Sequence, residues 1–351
     1  MRKTKKILII FLTSIAFQFA AFSILNWKAD QLLNSSFRLD HAYSVDADLT
    51  NAEEFDLSYN NKYFSYVSNH QLYIIDLFRN KPVEFKENPF TAEAMMIGYK
   101  WLPDRNILIY VKNDIASQTS TLFSLDLDEI SAPASGSRYE AKMEQIINFS
   151  MNQISDIQIS TYTNNLYFIY SDQEKKRKIV RLDMMKNINR LDYQDEQVNA
   201  MVVSNRYGTV FLQTGRGPSK TIVSQLDRER TVLAEGEDNV LLGCQDNKIY
   251  IGKLKNNVLQ SIRAVQTNAQ GKAPQAQNLW QGEIPFDPVR IKIGTDDNVL
   301  IQGPRRLDRI SNGNHNRINI GDGVIVLSDT GKMYMQITLN QGSFNYCWRL
   351  A

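Results

Sequence analysis

The sequence predicts an all-β protein: a β-propeller of seven four-stranded blades, with six or eight as the neighbouring counts, preceded by one N-terminal transmembrane helix. Three observations predict it. A polar turn launches an apolar strand seven times along the chain, no long helical pattern appears after the first 25 residues, and one uncharged run of 19 residues stands near the N-terminus.

The N-terminal run comes first. Arg2, Lys3, Lys5 and Lys6 precede a stretch from Ile7 to Leu25 that carries no charge. As a helix at ~1.5 Å per residue it would span about 28 Å, close to the hydrocarbon thickness of a bilayer. Ile7, Leu8, Phe11, Phe17, Phe19, Phe22 and Leu25 supply its apolar surface, and Trp27 is placed as an interfacial anchor. The basic flank predicts a cytoplasmic tip over residues 1–6, a membrane span over 7–25, a stalk with a possible ring-closing strand over 26–50, and an extracytoplasmic propeller over 51–351. A cleaved signal peptide using Ala21-Phe22-Ser23 is the alternative, which would give a secreted body. Thr13, Ser14 and Gln18 leave the run only moderately apolar.

The repeat follows. Asn61-Lys62 precedes Tyr63–Val67, Arg105-Asn106 precedes Ile107–Val111, and Asn164-Asn165 precedes Leu166–Tyr170. Tyr207-Gly208, Asn247-Lys248, Asp297-Asn298 and Gly331-Lys332 launch four more strands, at Thr209, Ile249, Val299 and Met333. The mean spacing is about 45 residues, the length of one four-stranded blade, with a scatter that loop insertions explain. Asn and Gly tolerate positive φ at such turns, and the dense β-branched and aromatic residues suit a half-buried pleated surface.

The first unit reads as a full blade: Phe55–Ser58, Tyr63–Val67, Leu72–Leu77 and Pro82–Phe85. The last offers three strands, Val324–Leu327, Lys332–Leu339 and Phe344–Leu350. A ring must join its ends or leave sheet edges open. Ser36–Leu39 or Tyr43–Val45 is therefore expected to supply the missing outer strand.

These units resemble a known family. Leu57-Ser58-Tyr59-Asn60-Asn61-Lys62 with Leu72–Leu77, and Trp101-Leu102-Pro103-Asp104-Arg105-Asn106 with Leu122–Leu127, are similar to the repeat of TolB-like and dipeptidyl-peptidase-IV N-terminal propellers. Ile179-Val180-Arg181-Leu182-Asp183 closes a third copy. The first turn departs from the family's Pro-Asp-Gly, and the later units are degenerate. The resemblance covers about half the chain and implies a propeller fold with a protein-binding role in the cell envelope.

Composition narrows the function. The net charge is +2, and the four basic residues at the N-terminus leave the rest of the chain at −2, which speaks against a nucleic-acid binder. Cys244 and Cys347 form neither a disulfide framework nor a metal knuckle, and two small buried hydrophobes is the preferred reading. His41, His70 and His315 fall in a stalk and two loops. HExxH, GxSxG, GxGxxG and P-loop patterns are absent, and Gly215–Lys220 reads as a hairpin connection. No catalytic residue, metal site or cofactor is predicted.

The remaining ligand candidates are Asp76, Asp126 and Asp183, which end equivalent strands, and Trp101 and Trp280. The three carboxylates fit one rim of a ring or, as the preferred reading, each accepts N–H bonds from its own turn. The tryptophans fit a stacking surface or packing between blades. The expected function is a membrane-anchored, non-enzymatic module binding lipid through its helix and a protein or peptide through its propeller. A carbohydrate-active or hydrolytic propeller, and a small-ligand or ion sensor, are the alternatives.

Overall fold

A computed structural model describes residues 41–49, 51–84, 94–114, 119–128, 143–149, 153–171, 177–191, 197–226, 229–268, 275–288, 290–294, 297–320, 323–328, 332–340 and 342–350, with Gln18 and Ser23 before them. The described strands form seven antiparallel four-stranded sheets. Blade 1 holds β2 (Ala52–Leu57), β3 (Tyr63–Ser68), β4 (Gln71–Asp76) and β5 (Lys81–Pro82). Blade 2 holds β6 (Ala94–Trp101), β7 (Ile107–Asp114), β8 (Thr119–Asp126) and β9 (Met143–Phe149). Blade 3 holds β10 (Gln153–Ser160), β11 (Asn165–Ser171), β12 (Arg177–Leu182) and β13 (Ile188–Leu191). Blade 4 holds β14 (Val198–Val203), β15 (Val210–Thr214), β16 (Thr221–Leu226) and β17 (Glu229–Glu235). Blade 5 holds β18 (Asn239–Gln245), β19 (Lys248–Lys255), β20 (Val258–Gln266) and β21 (Gln275–Pro285). Blade 6 holds β22 (Arg290–Ile293), β23 (Val299–Gly303), β24 (Arg306–Ser311) and β25 (Asn314–Asn319).

Each of the seven predicted launches opens the second strand of a blade. The reason is backbone geometry: Asn61, Asn164, Gly208, Asp246 and Asp297 all have positive φ, so five of these turns need a residue that tolerates the left-handed region. Gly208 is also a close approach. A Cβ there would meet Thr163 Oγ1 at 2.9 Å, and its carbonyl accepts the Tyr167 hydroxyl at 2.8 Å.

Blade 7 is built from both ends of the described chain. Its inner strands are β26 (Val324–Leu327), β27 (Met333–Asn340) and β28 (Ser343–Leu350), and its outer strand is β1 (Tyr43–Val45). The register pairs Tyr43 with Tyr346, Ser44 with Asn345 and Val45 with Phe344. Tyr43 stacks on Tyr346 with ring centroids 5.2 Å apart, and Val45 is fully buried among Phe344, Tyr346 and Trp348. The other proposed closing segment, Ser36–Leu39, lies outside the described residues.

Seven buried apolar clusters, one between each pair of neighbouring blades, hold the circle. The cluster joining blades 7 and 1 includes Phe64, Ile75, Met335 and Trp348, so the junction between the two chain ends is packed like the others. Each buried Leu, Ile or Phe contributes about 1.5–3 kcal/mol. Tyrosine hydroxyls lace some interfaces: Tyr63 donates to Leu127 O, Tyr250 to Asp297, and Tyr346 to Leu77 O.

The expected single-pass membrane location is corrected. No helix among the described residues is long and apolar enough to cross a membrane. Thr13, Ser14 and Gln18 dilute the apolar run on which that expectation rested, and of its residues only Gln18 and Ser23 are described, both helical and exposed. Ile7, Leu8, Phe11, Phe17, Phe19, Phe22, Leu25 and Trp27, and with them the lipid contact, lie outside the described residues.

Candidate functional site

The three strand-end aspartates hold turns. Asp76 Oδ1 accepts the N–H of Phe78 at 2.9 Å and of Arg79 at 3.1 Å. Asp126 accepts the N–H of Asp128, and Asp183 those of Met185 and Asn187, each at 2.9 Å. One geometry thus recurs in blades 1, 2 and 3, an Asx turn that satisfies the chain as it leaves the third strand.

The tryptophans pack between blades. Trp101, at the end of β6, is buried, stacks parallel to Tyr63 at 6.2 Å and donates Nε1–H to Ser65 Oγ at 2.8 Å. Trp280, on the outermost strand of blade 5, meets His315 of blade 6 edge-on at 5.9 Å. His315 donates Nε2–H to Asp308 Oδ1, 2.8 Å away. Both cysteines are free and partly buried, and Gly215–Lys220 is the hairpin between β15 and β16. Among the described residues no group of His, Cys, Asp or Glu has the arrangement of a metal site.

The functional candidate lies on the axis. The first strand of every blade is innermost, and in blades 1 to 5 it carries a β-bulge. First and third strands run in the same direction, so the turns that follow them open on one face of the ring. On that face is a cavity of about 420 Å³ lined from six blades, with Tyr59, Pro103, Tyr162, Asn205 and Asp246 at its mouth. A second cavity of about 650 Å³ opens on the opposite face past Glu54, Tyr99, Arg290 and Pro304. Asp56 and Lys100 line both, at the waist between them.

The waist is charged. Arg290 of blade 6 reaches past blade 7 to blade 1, placing Nη2 2.8 Å from Asp56 Oδ1 and Nη1 2.6 Å from Phe55 O. Burial pushes the Asp56 carboxyl up, but Arg290, Lys292 and Lys100 outweigh it and hold it below the ordinary value. Asp156, on β10, goes the other way. Its burial raises the carboxyl against the opposing pull of Lys100 and a hydrogen bond from Gln158 at 3.0 Å. Tyr99 donates to the carbonyl of Glu54, whose φ of 54° turns that carbonyl at the bulge, and burial raises the Tyr99 phenol well above its usual range.

Sequence reasoning missed Asp56, Lys100, Asp156, Arg290 and Lys292. Their signal was present: each is a charge set among apolar residues of a short strand, as in Phe55-Asp56-Leu57, Tyr99-Lys100-Trp101 and Arg290-Ile291-Lys292-Ile293.

No family model matches the chain, and no curated protein does. Its likeness is to solved structures. The β-propeller domain of Cps50 (Swd1) from Myceliophteria thermophila aligns at a TM-score of 0.54 and 11% identity, over 87% of this chain and 99% of that one. A chain of a mitotic checkpoint complex aligns at 0.53 and 11%, over 89% and 91%. A prolyl endopeptidase aligns at 0.53 and 8% over 82% of this chain, which spans 46% of that enzyme's length. At these identities the likeness shows the propeller fold.

Proposed function

We propose that this propeller is a non-enzymatic interaction module that holds a protein or peptide partner on the face where the funnel opens. One observation carries the reading. Of the ten large apolar or aromatic side chains exposed among the described residues, six sit on that face: Tyr59 and Tyr162 in turns after first strands, Phe78, Met184 and Met185 in turns after third strands, and Leu350 at the end of β28. Tyr162, Met184 and Met185 are 73%, 70% and 77% exposed, an unusual display for side chains that gain most from leaving water. Tyrosine and methionine are favoured at interface cores, where rigid or adaptable apolar surface is buried.

Asp56, the axial carboxylate that Arg290 holds through Oδ1, fits a binding role in this reading. A propeller chain in a mitotic checkpoint complex is consistent with a protein partner at the level of fold. The test is affinity capture with the wild-type protein and the Tyr59→Ala/Tyr162→Ala double variant, with Leu339→Ala as the control on the opposite face. The reading expects a partner that the double variant loses at unchanged melting temperature. Equal loss in the control, or a partner indifferent to both, would contradict it.

A further inference from the structure

We propose that Met184 and Met185 are a modification site: a two-electron oxygen donor such as hydrogen peroxide converts both to sulfoxides, and the funnel face then releases its partner. The inference rests on the funnel-face reading above and adds its regulation. The two thioethers stand side by side in the turn between β12 and β13, 70% and 77% exposed, and neither joins a buried cluster between blades. Met201 and Met335, by contrast, are core residues at 2% and 0% exposed. Peroxide must touch the sulfur it oxidises, so exposure orders the sites. Tyr162 and Ile188 flank the pair, and blade 3 thus holds four of the ten large apolar side chains exposed among the described residues.

The turn itself does not need the methionine side chains. Asp183 Oδ1 accepts the N–H groups of Met185 and Asn187 at 2.9 Å, and its Oδ2 accepts Asn187 Nδ2–H at 3.1 Å. The Asp183 N–H donates to Asn187 O at 3.2 Å, and the N–H of Lys186, whose φ is 61°, donates to Asp183 O at 3.0 Å. Backbone and carboxylate fix the loop, so oxidation acts on binding and spares the fold. The chemistry requires no protein base. A sulfur lone pair attacks one peroxide oxygen, the S–O bond forms as the O–O bond breaks, and the departing hydroxide takes the proton of the transferred hydroxyl to leave as water. Sulfur gives up two electrons and peroxide receives them. A polar, chiral sulfoxide then stands where an adaptable apolar chain stood, and it gains little from burial at an interface core. Methionine sulfoxide reductases reverse the step with electrons from a dithiol.

The experiment treats the whole chain with graded hydrogen peroxide and locates the added oxygen by peptide mass spectrometry. Binding is read on those members of a random octapeptide array that the untreated wild type retains and Tyr59→Ala/Tyr162→Ala does not. The inference expects oxygen on Met184 and Met185 at a dose that leaves Met201, Met335 and the melting temperature unchanged. Retention should fall about tenfold at that dose and return after methionine sulfoxide reductase. In Met184→Leu/Met185→Leu, retention should be the same before and after peroxide, whatever its starting level. These two arms separate methionine from the free thiols of Cys244 and Cys347, which peroxide also attacks. If the leucine variant retains no peptide, the reductase arm decides alone. Oxidation of Met201 or Met335 at the same dose, full retention by the doubly oxidised protein, or a loss that the leucine variant shares or the reductase does not repair overturns this inference and leaves the interaction reading standing. No peptide retained by the untreated, folded wild type overturns both.

Discussion

At the scale of single residues, four carboxylates do three kinds of work. Asp76 holds a turn from a buried position, whereas Asp183 makes the same turn from a partly exposed one. We therefore expect Asp76→Ala to cost about 2–3 kcal/mol in urea unfolding and Asp183→Ala distinctly less. Asp308 is fully buried and accepts Nε–H bonds from Arg306 at 2.9 Å and Arg317 at 2.7 Å, besides its contact with His315. Burial raises its carboxyl, but the bonds from Arg317, His315 and Arg306 prevail and the net shift is downward. A carboxylate whose native pKa lies below its unfolded value of about 3.9 stabilises the fold fully above that value, and the gain is lost as pH falls through the native one. The melting temperature should thus decline below about pH 4. Asp308→Asn should be less stable at pH 7 by about 2–4 kcal/mol and show a flatter acid limb. Asp156 has the opposite sign. Its raised native pKa means the charged form is penalised at neutral pH, so Asp156→Asn should raise the melting temperature there by about 1–2 °C, with the advantage vanishing as the solution becomes acidic.

At the scale of elements, the second strand of each blade was legible and the closing strand nearly so. Turns that demand positive φ restrict the choice to Asn, Asp and Gly, and that restriction leaves a local mark before each second strand. A closing strand leaves no such mark, because its partner lies about 300 residues away. The three-strand last unit pointed to the N-terminal side, and only the register of Tyr43–Val45 against β28 fixes which segment serves. Val45→Asp would place a charge in the cluster of Phe344, Tyr346 and Trp348, and should lower the melting temperature by at least about 5 °C. An unchanged melt would mean that β1 does not close the ring. The charged waist was the least legible feature. Asp56 and Arg290 stand 234 positions apart and meet past blade 7 only once seven blades have closed.

At the scale of the whole molecule, the ring gives its two faces different roles. Strand direction sends the turns after every first and third strand to one face, which therefore collects Tyr59, Phe78, Tyr162, Met184 and Met185 around the funnel. The opposite face receives the turns after second strands, with Leu339 as its exposed apolar side chain near β28. A surface displaying this much apolar area is stabilised when a partner covers it. The direct test is a photo-crosslinking scan in which a benzophenone amino acid replaces Tyr59, Phe78, Tyr162 or Met185 on the funnel face, and Leu339 or Arg305 on the other. The account predicts one partner crosslinked from the funnel-face positions and not from Leu339 or Arg305. Crosslinks confined to the opposite face, or spread evenly over both, would contradict it.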